Sequence, residues 1–175
     1  DTAWIYGQGA CETILGKWIQ NRGVRDQVVV LDKGAHTPWC NPEDLTKQLH
    51  EQLNFLGSDR IDIYMMHRDN EDIPVGEFID CLNEHKHAGR IGIFGVSNWT
   101  LDRIVEANNY ARNNSLEGFS AVSNQLSLAR MVNPPWDGCL SARDEKFELW
   151  LKQTKTPLFP WSSQARGFFT GIAKP

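Results

Sequence analysis

Tyr6, Lys33 and His67 carry a phenol, an amine and an imidazole, three groups that can give, hold or steer a proton. Further along, Ser97-Asn98, Gln125 and Trp161-Ser162-Ser163 add hydroxyl, amide and indole donors and acceptors. These residues share a local setting. Lys33 ends the run Val-Val-Val-Leu-Asp, His67 ends Ile-Asp-Ile-Tyr-Met-Met, and Ser97 ends Ile-Gly-Ile-Phe-Gly-Val. Gln125 ends Phe-Ser-Ala-Val-Ser-Asn, and Trp161 follows Pro-Leu-Phe-Pro. Metal chemistry has little support. Cys11, Cys40, Cys81 and Cys139 lie far apart with no Cys-x-x-Cys pair, which favours reduced thiols and a cytoplasmic location. His85 and His87 stand two apart on an expected helix and so point to different faces.

The elements that must position these groups alternate along the chain. Val28–Leu31, Ile61–Met66, Ile91–Val96, Phe119–Val122 and Leu158–Trp161 are short, partly β-branched and bounded by polar, Gly or Pro residues, as buried parallel strands are. Between them the hydrophobic period becomes helical. Asn41 is a good N-cap, Pro42 suits the first turn, Leu45, Leu49, Leu53 and Leu56 line one face, and Gly57 can close the helix. Further helices are expected from Glu12 to Arg22, from about Pro74 to Gly89 and from near Thr100. In the first of these, Ile14, Leu15, Trp18 and Ile19 supply the apolar positions.

Strand–helix repetition implies a parallel sheet, either an open doubly wound sheet or a (β/α)8 barrel. The polar residues decide between them. A reactive group after each of five strands gives one shared face in a barrel, where active sites are built, but a dispersed edge in an open sheet. The barrel is therefore expected. Gly7-x-Gly9 hints at a dinucleotide loop, yet Glu12 occupies the position of the third glycine and no strand precedes it, so a Rossmann site is not expected.

The 175 residues are 41% hydrophobic and 23% charged, ordinary for a globular domain, and no linker divides them. A net charge of −4 gives no reason to expect nucleic-acid or anionic-membrane binding, and no run of eighteen apolar residues appears.

In order and spacing, Asp1-Thr2-Ala3-x-x-Tyr6-Gly7, Lys33, His67, Gly95-Val96-Ser97-Asn98, Gln125 and Trp161-Ser162 through Gly171 resemble the aldo-keto reductases. The resemblance implies a (β/α)8 barrel, represented here by roughly strands 2 to 7, as one domain over residues 1–175 that is incomplete at both ends. It also implies hydride transfer between a nicotinamide cofactor and an aldehyde, ketone or sugar carbonyl. NADP(H) is favoured and NAD(H) is possible; the partner is a small carbonyl or alcohol. In such a site Tyr6 is the proton donor, Lys33 favours the phenolate, Asp1 holds Lys33, and His67 orients the carbonyl oxygen. Ser97, Asn98 and Gln125 would hold the nicotinamide carboxamide and Trp161, where many relatives carry Tyr, would stack on its ring. Ser162, Arg166 and Gly167 would lie along the pyrophosphate. Trp4, Trp39 and Trp99 are candidates either to wall the substrate pocket or to pack. Two other readings compete: a nicotinamide-binding regulatory subunit with little turnover, and a Schiff-base aldolase using Lys33.

Overall fold

Leu31–Gly34 (β1), Ile61–Met66 (β2) and Ile91–Val96 (β3) pair in parallel, in that order, in the computed structural model, which describes residues 1–171. Lys33 stands beside Met65, and Tyr64 beside Phe94. The pairing continues on both sides. Thr2 N donates to Leu31 O at 2.9 Å and Trp4 N to Lys33 O at 2.8 Å. On the other flank, parallel bridges join Val96 to Val122, Val122 to Leu158, and Gln125 to Trp161. Six ribbons thus follow one another in chain order, an arc of the kind a (β/α)8 barrel requires.

A helix separates each ribbon from the next: α1 (Ala10–Arg22), α2 (Pro42–Leu56), α3 (Val75–His87), α4 (Leu101–Asn113) and α5 (Glu145–Thr154). Two start where the capping signals say they should. Asn41 Oδ1 accepts from Asp44 N at 2.9 Å, and Thr100 Oγ1 from Arg103 N at 3.3 Å. The main core lies between helices and ribbons, where Tyr64, Phe78, Phe94, Trp99, Leu45 and Leu49 are fully buried. Each large apolar side chain removed from water contributes about 1.5–3 kcal/mol. Leu31, Met65 and Ala121 form a smaller cluster with Ile63. These residues alternate with Asp32 and Tyr64 along their strands, so they occupy the opposite, inner face. A Cβ on Gly95 would lie 2.1 Å from Ala121 O, so the bare glycine lets β3 approach the next ribbon closely.

Three local expectations are corrected. The first strand runs over Leu31–Gly34 rather than Val28–Leu31, because a 3-10 turn at Arg25–Gln27 precedes it and Val29 points to solvent, 73% exposed. Helix α1 begins at Ala10, two residues early. It buries Glu12, Gly16 and Ile19 and leaves Ile14 and Trp18 exposed. Helix α5 is an addition, capped by Asp144 Oδ1 on Phe147 N at 2.9 Å. Among the described residues no helix is long and apolar enough to cross a membrane.

Candidate active site

The strand-end argument predicts that reactive groups share a face, and they do. Asp1, Tyr6, Lys33, His67, Ser97 and Asn98 line one cavity of about 550 Å3 at the carboxyl ends of the ribbons. Lys33 Nζ donates to Asp1 Oδ2 at 2.7 Å and to Thr2 O at 3.2 Å. The lysine side chain is only 5% exposed but its carboxylate partner is 64% exposed. Water therefore screens the pair, and burial pushes the ammonium down to about 8.

Tyr6 enters on a tight turn in which its N–H donates to Ala3 O at 2.7 Å, and Gly7, Gln8 and Gly9 all have positive φ. The Gly7-x-Gly9 pattern thus serves a left-handed turn into α1. The phenol ring meets His67 edge-on at 5.7 Å, and Lys33 Nζ lies 5.6 Å from its centroid. Burial raises the phenol above its ordinary value, and the charge that chiefly opposes this is that of Arg68. His67 is buried and pushed down to about 2, by desolvation first and then by the neighbouring charges of Arg68, His36 and Lys33. It is neutral at physiological pH, and its Nδ1 has no hydrogen-bond partner among the described residues. A neutral imidazole beside a protonated phenol can present two hydrogen-bond donors to one oxygen.

Ser97 Oγ donates to Ser123 O at 2.6 Å, while Asn98 Nδ2 donates to Ser97 Oγ at 3.0 Å. Asn98 Oδ1 accepts from Leu140 N at 3.1 Å. Gln125 Oε1 accepts from Ser141 Oγ at 2.8 Å. These groups are held rigidly, and their oxygens retain lone pairs for a ligand. Gln125, Trp161, Ser162 and Arg166 line a second cavity of about 330 Å3. Trp161 and Ser162 border both cavities, which joins them into one groove. Trp161 Nε1 is buried with no hydrogen-bond partner among the described residues. Gly167 lies in the kinked 3-10 stretch Ala165–Thr170 and lines neither cavity, whereas Arg166 stacks over Trp136 at 5.6 Å. The groove thus carries an indole, side-chain amides and the Arg166 guanidinium.

Of the two readings open for Trp4, Trp39 and Trp99, the structure favours packing. Trp4 and Trp39 pack edge-on at 5.3 Å, and Trp99 is fully buried against Phe78 and Phe119. The indoles that line the cavity are Trp136 and Trp161. His36, Arg68 and Cys139 also line it. Strand-end reasoning extended by one to three residues would have found Arg68 and His36. Trp136 and Cys139 come from an irregular segment whose sequence carries no periodic signal. His85 is structural, bonded to Thr46 Oγ1 at 3.0 Å and to Arg90 Nε at 2.8 Å.

The chain is similar in sequence and in fold to known aldo-keto reductases. The chain is 28% identical over 179 residues to the aldo-keto reductase YhdN of Bacillus subtilis, covering 98% of this chain and 49% of that protein. It is 26% identical over 184 residues to the aldo-keto reductase yakc [NADP(+)] of Schizosaccharomyces pombe, covering 99% and 50%. The chain thus spans about half the length of the curated relatives it matches. An aldo-keto reductase from Klebsiella pneumoniae, solved in complex with NADPH, superposes with a TM-score of 0.77 at 23% identity, over 95% of this chain and 53% of that one. The family model for aldo/keto reductases matches residues 1–171, and the chain belongs to the aldo/keto reductase family.

Proposed function

We propose that the complete protein is an NADP(H)-dependent reductase of small carbonyl compounds, with Tyr6 as proton donor. The observation that carries this reading is the meeting of Tyr6, His67 and the Lys33–Asp1 pair in one cavity, joined to a second through Trp161. When bound, the nicotinamide supplies the hydride. The chain's own residues do the rest. His67, neutral, donates a hydrogen bond to the carbonyl oxygen and orients it. Tyr6 gives its proton to that oxygen as the alkoxide forms. The charges of Arg68 and Lys33 favour the resulting phenolate. Ser97, Asn98 and Gln125 hold the carboxamide, Trp161 lies on the ring, and Ser162 and Arg166 follow the pyrophosphate.

The test is loss of NADPH absorbance by the complete protein against aldehydes, ketones and sugars. Tight NADPH binding with no turnover on any of them would shift the reading to a regulatory nicotinamide-binding subunit. Trp161→Ala is expected to weaken NADPH binding by about 1–3 kcal/mol, through lost stacking and burial. Trp161→Tyr should restore most of it. Equal affinity of the alanine variant and wild type in a fluorescence titration would make Trp161 a packing residue.

A further inference from the structure

Arg68 follows His67 at the end of β2 and is buried at 8% exposure, yet its acceptors are neutral. Nη1 donates to His67 O at 3.0 Å, and Nη2 reaches Cys139 Sγ at 3.6 Å. The thiol is a weak acceptor, and a guanidinium has five N–H donors. No ion pair among the described residues includes Arg68. The contrast with Lys33 is direct, since that cation of the same cavity is paired with Asp1 at 2.7 Å. Asp1 and Asp137 also line the cavity, and neither pairs with Arg68. A buried cation without a counter-ion is costly, and an anion delivered by a ligand removes that cost. The guanidinium also stands close enough to Tyr6 and His67 for its charge to act on both.

We propose that Arg68 anchors a carboxylate carried by the carbonyl substrate, which narrows the substrate class to small aldehydes and ketones that bear an acid group. The proposal rests on the carbonyl-reductase reading for the reacting end of that molecule. A planar guanidinium can take a carboxylate through two parallel N–H···O bonds. Because Arg68, Tyr6 and His67 share one cavity, the anion and the carbonyl must belong to the same compact molecule, with Trp136 and Trp161 bordering what lies between them.

The experiment compares para-carboxybenzaldehyde with para-methylbenzaldehyde as substrates of the complete protein with NADPH. Wild type is expected to favour the acid by about ten- to hundredfold in kcat/KM, mostly through KM, the range for a charge-assisted hydrogen-bonded pair. Arg68→Met should abolish the preference, and Arg68→Lys should keep part of it, with NADPH affinity unchanged in both. A purely structural role would slow both aldehydes alike and leave their ratio where it was. Equal use of the two by wild type, or an unaltered preference in Arg68→Met, overturns the proposal. If neither aldehyde is reduced, titration of tryptophan fluorescence with benzoate and benzamide decides. Benzoate binding that weakens at least tenfold in Arg68→Met upholds the anchor while the reductase reading falls. Absent benzoate binding, or binding equal in the two proteins, removes it.

Discussion

Tyr6→Phe in the complete protein is expected to lower carbonyl reduction by about 10²–10⁴-fold, the usual contribution of a positioned general acid, and to leave NADPH affinity largely intact. The substitution removes one oxygen and keeps the ring, so the edge-on contact with His67 at 5.7 Å should persist. Burial raises the phenol above its ordinary value, so Tyr6 is fully protonated at neutral pH and the donor is always loaded. The charge that favours loss of that proton is that of Arg68. Lys33, pushed down to about 8, carries its charge at neutral pH and loses it as the solution becomes alkaline. Retention of more than about a tenth of wild-type turnover would remove Tyr6 from the acid role. Unchanged NADPH titration alongside lost turnover separates a missing proton donor from a collapsed site.

Much of this layout is legible in the sequence, for reasons that can be stated. Asn41 and Thr100 announce helices because a cap is local chemistry, readable three residues at a time. β2 and β3 coincide with their apolar runs, and both faces are buried over their second halves, Tyr64–Met66 and Phe94–Val96, although Gly92 and Ile93 are exposed. The shared face of Lys33, His67 and Ser97 follows from topology, since parallel strands put their carboxyl ends together. Helix α5 is not legible in the same way. Phe147 is its single buried residue and Leu149 is 53% exposed, so its apolar positions mark no clear stripe. Trp136 and Cys139 reach the cavity through contacts distant in sequence, Arg68 to Cys139 and Asn98 to Leu140, which spacing does not encode. Glu12 is the strongest case. A glutamate in the first turn of an amphipathic helix reads as solvated, yet here it is fully buried.

That burial leads to a large pH effect on stability. Glu12 and Asp32 are both fully buried. Both oxygens of Glu12, Asp32 Oδ2, Thr2 Oγ1, Gln52 Oε1 and Tyr64 OH lack hydrogen-bond partners among the described residues. Asp32 Oδ1 accepts from Lys33 N at 2.8 Å. Burial first, then the charge of Glu12, pushes Asp32 up to about 8, against the pull of the Lys33 N–H, Gln52 and the Lys33 ammonium. Burial raises Glu12 as well. Two such carboxyls cannot both ionise cheaply, so the pair keeps a proton that the unfolded chain gives up near 3.8. Between those limits the folded state binds more protons than the unfolded one, and stability falls as pH rises. The contribution is complete below the unfolded value and lost by about 8. Each pH unit over which the pair keeps that proton is worth about 1.4 kcal/mol, so stability should fall steadily as pH rises through the window.

Asp32→Asn isolates the effect. The amide keeps an oxygen for Lys33 N–H, offers an N–H toward Glu12 and does not titrate. His67 and His85, pushed down to about 2 and about 4, produce the opposite slope on the acid side, where the unfolded imidazoles gain protons that the folded ones refuse. The histidine terms are common to both proteins and largely cancel in their difference, and Lys33, which feels the charge of Asp32, titrates at the upper edge of the window. Urea unfolding of the complete protein across the window should therefore show Asp32→Asn gaining on wild type as pH rises. Parallel curves would mean that the two carboxyls are separated or hydrated rather than sharing a proton. The expected slope would mean that Asp32, buried and raised by the charge of Glu12, keeps its proton in the folded chain until about pH 8.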